Sequence, residues 1–236
     1  MDEPNRAVLK QKLEHYTPSA HTIALIKNTP ILLLVGVSGA GKGSIKQKLL
    51  EAGQYHHIVS HTTRLPRENN GVLEQDGNEY HFINLAESEK MLDEQTYVEA
   101  KIYSDNVYGT SASEIQQAHD EAKIALTDIE VQGVAEYKAL SPEVKAIFVL
   151  PPSYEVWQQR LAKRYEGKVD SDDIRRRMQT AKAELEEALS KDYFRFVIND
   201  DLGKAVEAVD AIAHGEPAGK ESETARLLAK ELLEKL

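Results

Sequence analysis

Short apolar segments alternate along this chain with longer segments in which apolar residues recur every three or four positions. Ile31–Val35, Ile124–Asp128 and Val144–Leu150 are typical of strands buried on both faces, because almost nothing polar interrupts them. Strands that alternate with helices form βαβ units, so the pattern predicts an α/β fold with a parallel sheet and helices on both faces. Helices are predicted at about 4–16, 43–50, 85–93, 153–164, 172–190 and 202–213, and further strands at 56–60, 79–83, 96–103 and 193–198.

The two ends of the chain carry predicted helices of their own. Leu9, Leu13 and Tyr16 form a narrow apolar stripe, so residues 1–29 are interpreted as a helical extension packed on the core. Residues 215–236 begin as a Gly- and Pro-containing linker and continue as an amphipathic helix. We expect this last helix to dock either on the body of the protein or on a second copy, which would give a homodimer.

A glycine-rich segment joins the first buried strand to a predicted helix. Its sequence, GVSGAGKGS, contains Gly-x4-Gly-Lys between a strand and a helix, which is the context of a phosphate-binding loop. Glycines let successive backbone N–H groups form an anion nest, and the helix N-terminus and the lysine add positive charge. A glycine-rich turn that binds nothing is the alternative, but the flanking elements favour a nucleoside triphosphate site. The residues assigned to this site are Gly36, Val37, Ser38, Gly39, Ala40, Gly41, Lys42, Gly43 and Ser44.

Composition narrows the class of protein. The chain has 236 residues, with 29 basic and 39 acidic side chains and a net charge of −10, so it is a poor candidate for wrapping a nucleic acid polymer. It has no cysteine, which excludes disulfides and thiolate chemistry. Its N-terminus is acidic and its longest apolar run is far too short to span a bilayer. We therefore expect a cytoplasmic protein with no membrane partner.

Six motifs occur together in one order. They are GVSGAGKGS, SHTTRLPR followed by GNEYHF, VYGTS, LTDIEVQG, FVLPPS and INDDL. In order and spacing they resemble guanylate kinase over about residues 30–214. The resemblance implies a three-layer P-loop nucleoside-monophosphate-kinase fold with a small acceptor-binding insert at about 60–112 and a helical lid at about 153–190. It also implies ATP-dependent phosphorylation of GMP, and of dGMP, with Mg²⁺ as cofactor.

The resemblance assigns the phosphate of GMP to the insert. Arg64 and Arg67, with Ser60 and Tyr80, resemble the clamp on that phosphate. Guanidinium groups pair bidentately with phosphate oxygens, and hydroxyls fill the remaining lone pairs. The alternative is two solvated surface arginines.

The same resemblance assigns the residues that bind the guanine base of GMP. Glu99 and Thr110 resemble the guanine readers, with Tyr108 close by. A carboxylate accepts from the ring N–H and the amine of guanine at once, whereas adenine offers neither donor in that geometry. Without the resemblance, the alternative interpretation of Glu99 is a charged surface residue at the edge of a strand. Glu130 stands where the family usually has an aspartate, and both guanine contact and metal hydration are open for it.

The remaining assignments concern ATP, the metal and the lid. Asp128 ends a buried strand, where a carboxylate can hold Mg²⁺ directly or through water. Gly43 replaces the hydroxyl residue that usually follows the lysine, so Ser44 is the candidate hydroxyl ligand. The lid arginines implied as catalytic, beside Lys42, are Arg160, Arg164, Arg176 and Arg177, and Asn199 and Asp200 resemble the segment near the adenine of ATP.

Phosphoryl transfer onto a phosphate needs no general base, which agrees with the lack of an obvious His–carboxylate pair. Two other functions stay open at this point. One is a kinase of the same fold with another phosphorylated acceptor. The other is a non-catalytic interaction module resembling the guanylate-kinase-like domains of scaffolds.

Overall fold

The structure is a computed structural model that describes residues 3–69, 71–164, 171–217 and 219–236. Within these ranges no helix combines the length and the apolarity that crossing a membrane requires.

The helices are α1 (Glu3–Glu14), α2 (Ala20–Asn28), α3 (Lys42–Glu51), α4 (Leu85–Asp93), α5 (Ala112–Asp120), α6 (Val131–Leu140), α7 (Tyr154–Arg164), α8 (Ser171–Leu189), α9 (Leu202–Ala213) and α10 (Lys220–Glu234). The strands are β1 (Ile31–Val35), β2 (Tyr55–His57), β3 (His61–Thr62), β4 (Glu68–Asn69), β5 (Val72–Leu73), β6 (His81–Phe82), β7 (Tyr97–Tyr103), β8 (Asn106–Ser111), β9 (Ile124–Asp128), β10 (Lys145–Leu150) and β11 (Phe194–Ile198).

One compact unit comprises residues 31–55, 126–135 and 144–236, and it contains β1, β10 and β11 of a five-stranded sheet in the order β11-β10-β1-β9-β2. β1 pairs in parallel with β10, and β10 pairs in parallel with β11, with Phe148 opposite Phe196. Every residue of β1 is buried, as its apolar sequence predicts. The predicted α/β class with a parallel central sheet is confirmed.

The other compact unit comprises residues up to 30, 56–125 and 136–143. Its sheet has the order β6-β3-β8-β7, and a separate hairpin joins β4 to β5. β3 pairs in parallel with β6 and antiparallel with β8, so this sheet is mixed. β7 and β8 form a long antiparallel ladder that places Glu99 opposite Thr110.

Two helices occupy the N-terminal residues where one was expected. α1 buries Leu9 in a cluster with Leu92, Tyr97 and Val107, as expected of an extension packed on a core. The sequence analysis predicts a helix only at about 4–16 within residues 1–29, whereas the structure has a second helix, α2, after it. Ser19 is the N-cap of α2, and its hydroxyl accepts a hydrogen bond from the Thr22 N–H at 3.1 Å.

Two predicted strands are shorter than expected. The strand predicted at 56–60 is Tyr55–His57, because the Val59 N–H donates to the Glu114 carboxylate at 2.8 Å rather than to a neighbouring strand. The strand predicted at 79–83 is reduced to His81–Phe82. In both places, side chains and turns satisfy backbone groups that a sheet would otherwise pair.

The C-terminal helix α10 packs within its own unit, against β11 and α8. Its apolar stripe is buried at Ala225, Ala229 and Leu232. Arg226 donates to the carbonyls of Leu189 and Lys191, at 2.5 and 3.4 Å, where α8 ends. Docking on the body, one of the two expected arrangements, therefore accounts for the apolar face of α10, and a homodimer stays a prediction.

Candidate active site

A pocket of about 700 Å³ lies where β1 runs into the glycine-rich loop and α3. The predicted nucleotide residues that line it are Gly36, Val37, Ser38, Gly39, Gly41, Lys42, Gly43, Ser44, Asn199 and Asp200. Ala40 is the exception among the predicted set, since it is fully buried. Its carbonyl accepts a hydrogen bond from the Asn199 side-chain amide at 2.8 Å, which ties the loop to the end of β11.

Two glycines of the loop have conformations and surroundings that exclude a side chain. Gly36 has φ of +139° and a Cβ there would collide with the Val149 carbonyl. Gly41 has φ of +94° and a Cβ there would collide with the amide of Asn199. Positive φ is strained for residues with a Cβ, so the loop backbone depends on glycine at both positions.

Lys42 begins α3, and its ammonium group donates to the carbonyls of Gly36 and Val37. This folds the side chain back along the loop, where a phosphate would meet both the lysine and the helix N-terminus. Asp128 lines the same pocket and is ion-paired with Lys46. Burial pushes the pKa of Asp128 up, but the charges of Lys46 and Lys42 outweigh it and hold the pKa below its ordinary value.

Helix α7 lies within the predicted lid and forms hydrogen bonds to the glycine-rich loop and to the end of β11. The Trp157 indole N–H donates to the Ser38 carbonyl at 2.7 Å, and Arg160 donates to the Asn199 carbonyl at 3.0 Å. Arg160 is among the residues that line the pocket, and its catalytic role stays a prediction. The side chain of Arg164 lies outside the described residues. Arg176 and Arg177 are exposed on α8 and are not among the residues that line the pocket.

Glu184 is a pocket residue that the sequence analysis did not identify. It projects from α8 into the pocket that holds Lys42. Burial raises the pKa of Glu184 to about 7, Lys42 opposes the shift and Glu130 adds to it. In the sequence, Glu184 lies between Ala181 and Leu185, which are both buried on α8. A carboxylate at such a position is the signal that could have identified it.

In the other unit, Arg64 is buried and held by a carboxylate. Its guanidinium donates to both oxygens of Glu74, at 2.7 and 3.2 Å, and lies 5.2 Å from the centre of the Tyr80 ring. The Tyr80 ring in turn contacts the ring of Tyr108. Arg67 is exposed, and its backbone N–H donates to Glu74 at 2.8 Å. Glu74 is thus a second residue missed from sequence, since only the β4–β5 hairpin brings it back to the two arginines.

Glu99 and Thr110 form the second predicted group in this unit. Thr110 is buried, and both its backbone N–H and its hydroxyl donate to the Oε1 atom of Glu99, at 3.1 and 3.0 Å. Burial raises the pKa of Glu99 to about 7, and the neighbouring Glu136 adds to the shift, while Lys101 opposes it. The carboxylate is therefore oriented by Thr110 and poised between its two protonation states at neutral pH.

Two further residues that were predicted to bind GMP, Ser60 and Glu130, take no part in the contacts just described. The Ser60 backbone carbonyl accepts a hydrogen bond from the His81 N–H at 2.9 Å, which places Ser60 beside β6. Glu130 follows β9 in the unit that carries the phosphate-binding loop, and it is exposed. Its part in the site stays a prediction.

Comparison with known proteins identifies the family. The family model described as guanylate kinase matches residues 27–216. The guanylate kinase of Schizosaccharomyces pombe is 35% identical over 196 residues, covering 82% of this chain and 94% of that protein. The guanylate kinase of Bdellovibrio bacteriovorus is 37% identical over 179 residues, covering 75% and 92%. The crystal structure of guanylate kinase from Anaplasma phagocytophilum matches the fold, with a TM-score of 0.57 and 22% identity over 89% of this chain and 97% of that one. The resemblance inferred from the six motifs is confirmed, and the chain belongs to the guanylate kinase family.

Proposed function

We propose that this protein catalyses the ATP-dependent phosphorylation of GMP, and of dGMP, to the diphosphate by in-line phosphoryl transfer. The observation that carries the proposal is the Glu99–Thr110 pair, in which two hydrogen bonds from Thr110 orient a partly buried carboxylate. A carboxylate held in this way suits guanine, which presents two adjacent N–H donors. Adenine would leave the carboxylate unpaired, and such a mismatch can reduce kcat/KM by about 10⁴-fold.

The acceptor phosphate is assigned to the arginines of the same unit. Arg67 is exposed and has no ion pair among the residues described, so its guanidinium is available to a phosphate. Arg64 is oriented by Glu74, with the rings of Tyr80 and Phe82 against its guanidinium. Fixing the Arg64 cation before the substrate arrives lowers the entropy that binding must overcome.

The triphosphate of ATP is assigned to the pocket of the glycine-rich loop. Backbone N–H groups of the pocket-lining loop residues and the N-terminus of α3 would bind its oxygens. Lys42 and Arg160 would counter the charge that builds up between donor and acceptor. The attacking group is itself a phosphate, so the protein supplies position and charge rather than a base. No general base is part of the proposal.

The donor set of the pocket fits Mg²⁺ bound together with ATP. Among the described residues no three His, Asp or Glu side chains are arranged to hold a metal ion by themselves. Mg²⁺ commonly takes one or two protein oxygens and completes its shell with water and phosphate oxygens. The ionised Asp128 and the hydroxyl of Ser44, which both line the pocket, are the residues proposed to hold it. When bound, the ion neutralises phosphate charge.

Replacement of Lys42 tests this function against a non-catalytic interaction module. We expect Lys42→Ala to lower kcat for GMP-dependent ADP release at least about 100-fold, because a preorganised cation that stabilises developing charge contributes on this scale. Lys48→Ala is the matched control, since Lys48 is an exposed lysine of the same helix that pairs with Glu51. Undiminished turnover in Lys42→Ala, or none in the natural protein, would contradict the proposal.

Location and assembly belong to the same proposal. GMP and ATP are the partners proposed here, and the proposed location is the cytoplasm. A homodimer stays a prediction that sedimentation of the full chain would test.

A further inference from the structure

Glu114 is a buried carboxylate in the unit that contains Glu99 and Arg64, and the proposed function does not use it. Its side chain is only 5% exposed, on the first turn of α5. Its Oε2 atom accepts a hydrogen bond from the Val59 N–H at 2.8 Å, and its Oε1 atom accepts one from Nε2 of His81 at 3.0 Å. Each oxygen of the buried group therefore has a partner, and the carboxylate bridges two segments that are far apart in the sequence.

Glu114 does not have the role that a glutamate at this helix position usually has. The third residue of a helix commonly bonds back to the N-cap residue, as Glu87 of α4 does when it accepts the Asn84 N–H at 2.7 Å. In α5 the N-cap residue, Ser111, makes no capping hydrogen bond with its side chain, and the Glu114 carboxylate is bonded elsewhere. Local helix capping therefore does not account for Glu114.

The two partners of Glu114 adjoin residues that are predicted to bind the phosphate of GMP. Val59 directly precedes Ser60, and His81 directly follows Tyr80. The Ser60 carbonyl also accepts the His81 N–H at 2.9 Å. Glu114 therefore joins the backbone beside Ser60 to the side chain beside Tyr80, and all of these residues lie within one compact unit.

The strands in this region provide little order of their own. β6 is the edge strand of its sheet, and it pairs with β3 over only two residues, with His61 opposite His81. So short a pairing is marginal unless side chains reinforce it. The ring centres of His61 and His81 are 4.7 Å apart, so the His81 imidazole is held both by a neighbouring ring and by the Glu114 carboxylate. These side-chain contacts supply order that the short ladder lacks.

We propose that Glu114 is a positioning residue for the phosphate of GMP, which holds Ser60 and Tyr80 in place through the Val59 N–H and the His81 imidazole. The inference rests on the proposed function, because it concerns how the GMP site of that reaction is assembled. Without the carboxylate, the two segments would have to be ordered when GMP binds, and the affinity would fall by the free energy of that ordering.

The variant Glu114→Leu removes both hydrogen bonds and keeps a side chain of similar size. Ordering two side chains on binding weakens it about tenfold, so the Kd for GMP, measured by calorimetry, should rise about tenfold while the Kd for ATP is unchanged. The Kd for guanosine, which lacks the phosphate, should change by less than about twofold in an NMR titration, because the Glu99–Thr110 pair is left intact. Glu114→Gln keeps an acceptor for Val59 and a polar group for His81, so it should recover most of the GMP affinity.

Ile115→Val is the matched control for lost stability. Ile115 is the next residue of α5 and is completely buried, so losing one methylene should lower the melting temperature. The hydrogen bonds of Glu114 are unchanged in this variant, and the Kd for GMP should therefore stay as in the natural protein. Should Glu114→Leu fail to fold, His81→Leu replaces a side chain that is 30% exposed and removes one of the two connections. It should raise the Kd for GMP and leave the Kd for guanosine unchanged.

Equal weakening of GMP and guanosine binding in Glu114→Leu or His81→Leu overturns the inference, because it indicates a general loss of structure. An equal loss of GMP affinity in Ile115→Val overturns it as well. A natural protein that binds no GMP overturns the proposed function together with the inference. Normal GMP binding that neither Glu114→Leu nor His81→Leu weakens overturns the inference alone.

Discussion

Glu74 holds the guanidinium of Arg64 with both of its carboxylate oxygens, at 2.7 and 3.2 Å. The side chains of the two residues are only 10% and 8% exposed, so the ion pair is largely shielded from solvent. Arg67, three positions along the chain, is exposed by contrast. Two arginines that look equivalent in the sequence therefore have different physical roles, one packed into the unit and one open to a ligand.

The exposed arginine should contribute to binding but not to stability. In Arg67→Met, a cation available to the acceptor phosphate is lost, so the Kd for GMP should rise at least about tenfold, as expected for a charge-assisted contact. Its free energy of unfolding in urea should change by no more than about 0.5 kcal/mol, as for most surface substitutions. A stability loss without an affinity loss would reverse the assignment.

The buried arginine should contribute to stability as well. Arg64→Met leaves Glu74 without its partner in a shielded place, and we expect a loss of about 3–5 kcal/mol in urea unfolding. Changing Glu74→Met in addition should recover much of that loss, because an apolar pair of similar size replaces the ion pair. If the double variant is as unstable as Arg64→Met, the pair is not the cause.

The raised pKa of Glu99 predicts a pH dependence of GMP binding. Guanine requires the ionised carboxylate, and the pKa of Glu99 in the free protein is about 7. Affinity should therefore fall about tenfold per pH unit below pH 7 and level off above it. The nearby charges that set this pKa are Glu136 and Lys101. Calorimetry from pH 5.5 to about 8.5 measures the profile, and Glu99→Gln reports the part that comes from the phosphate of GMP, which itself titrates near pH 6.

The same shift predicts an effect on stability. A carboxyl whose pKa is higher in the folded than in the unfolded state destabilises the fold increasingly between its unfolded pKa of about 4.5 and its folded pKa of about 7. Glu99→Gln removes that penalty, so it should be more stable than the natural protein by about 1–3 kcal/mol at pH 8 and show no gain at pH 4. Urea unfolding at the two pH values checks this, and a gain at both would point to another cause.

Two glycines of the phosphate loop should respond in opposite ways to alanine. Gly41→Ala places a Cβ against the amide of Asn199 at a positive φ, so we expect a lower melting temperature and at least about tenfold weaker ATP binding. Gly43 lies in α3 with open space around its Cα. Gly43→Ala should therefore keep ATP binding and gain about 0.5–1 kcal/mol from helix propensity. Equal effects at both positions would mean that the loop is not shaped as described.

Helix α10 should stabilise the end of α8. Arg226 donates to two carbonyls at that end and lies 5.3 Å from the ring of Phe196. Arg226→Ala should cost about 1–2 kcal/mol in urea unfolding, since it removes hydrogen bonds and a favourable charge at a helix C-terminus. Lys230→Ala, at an exposed position of the same helix, is the control and should have little effect.

Local patterns were sufficient to predict much of the fold and the glycine-rich loop. The apolar run Ile31–Val35 predicted β1, and the loop that follows it is contiguous, so no tertiary information was needed to recognise it. Helix α2 was missed because it is only nine residues long and its start is marked by a single serine, Ser19.

The missed site residues depend on contacts between distant positions. Glu74 reaches Arg64 only through a hairpin of two-residue strands, which is too short to produce a periodic pattern. This pairing is not visible in periodicity, because it is set by how the elements pack.

An acceptor panel tests the central claim most directly. With ATP and Mg²⁺ present, ADP release is measured with GMP, dGMP, AMP, CMP and UMP as acceptors, using the full chain. The proposed role of Glu99 predicts that kcat/KM for GMP exceeds that for AMP by about 10⁴-fold. Equal rates with AMP and GMP, or no turnover with GMP, would contradict it.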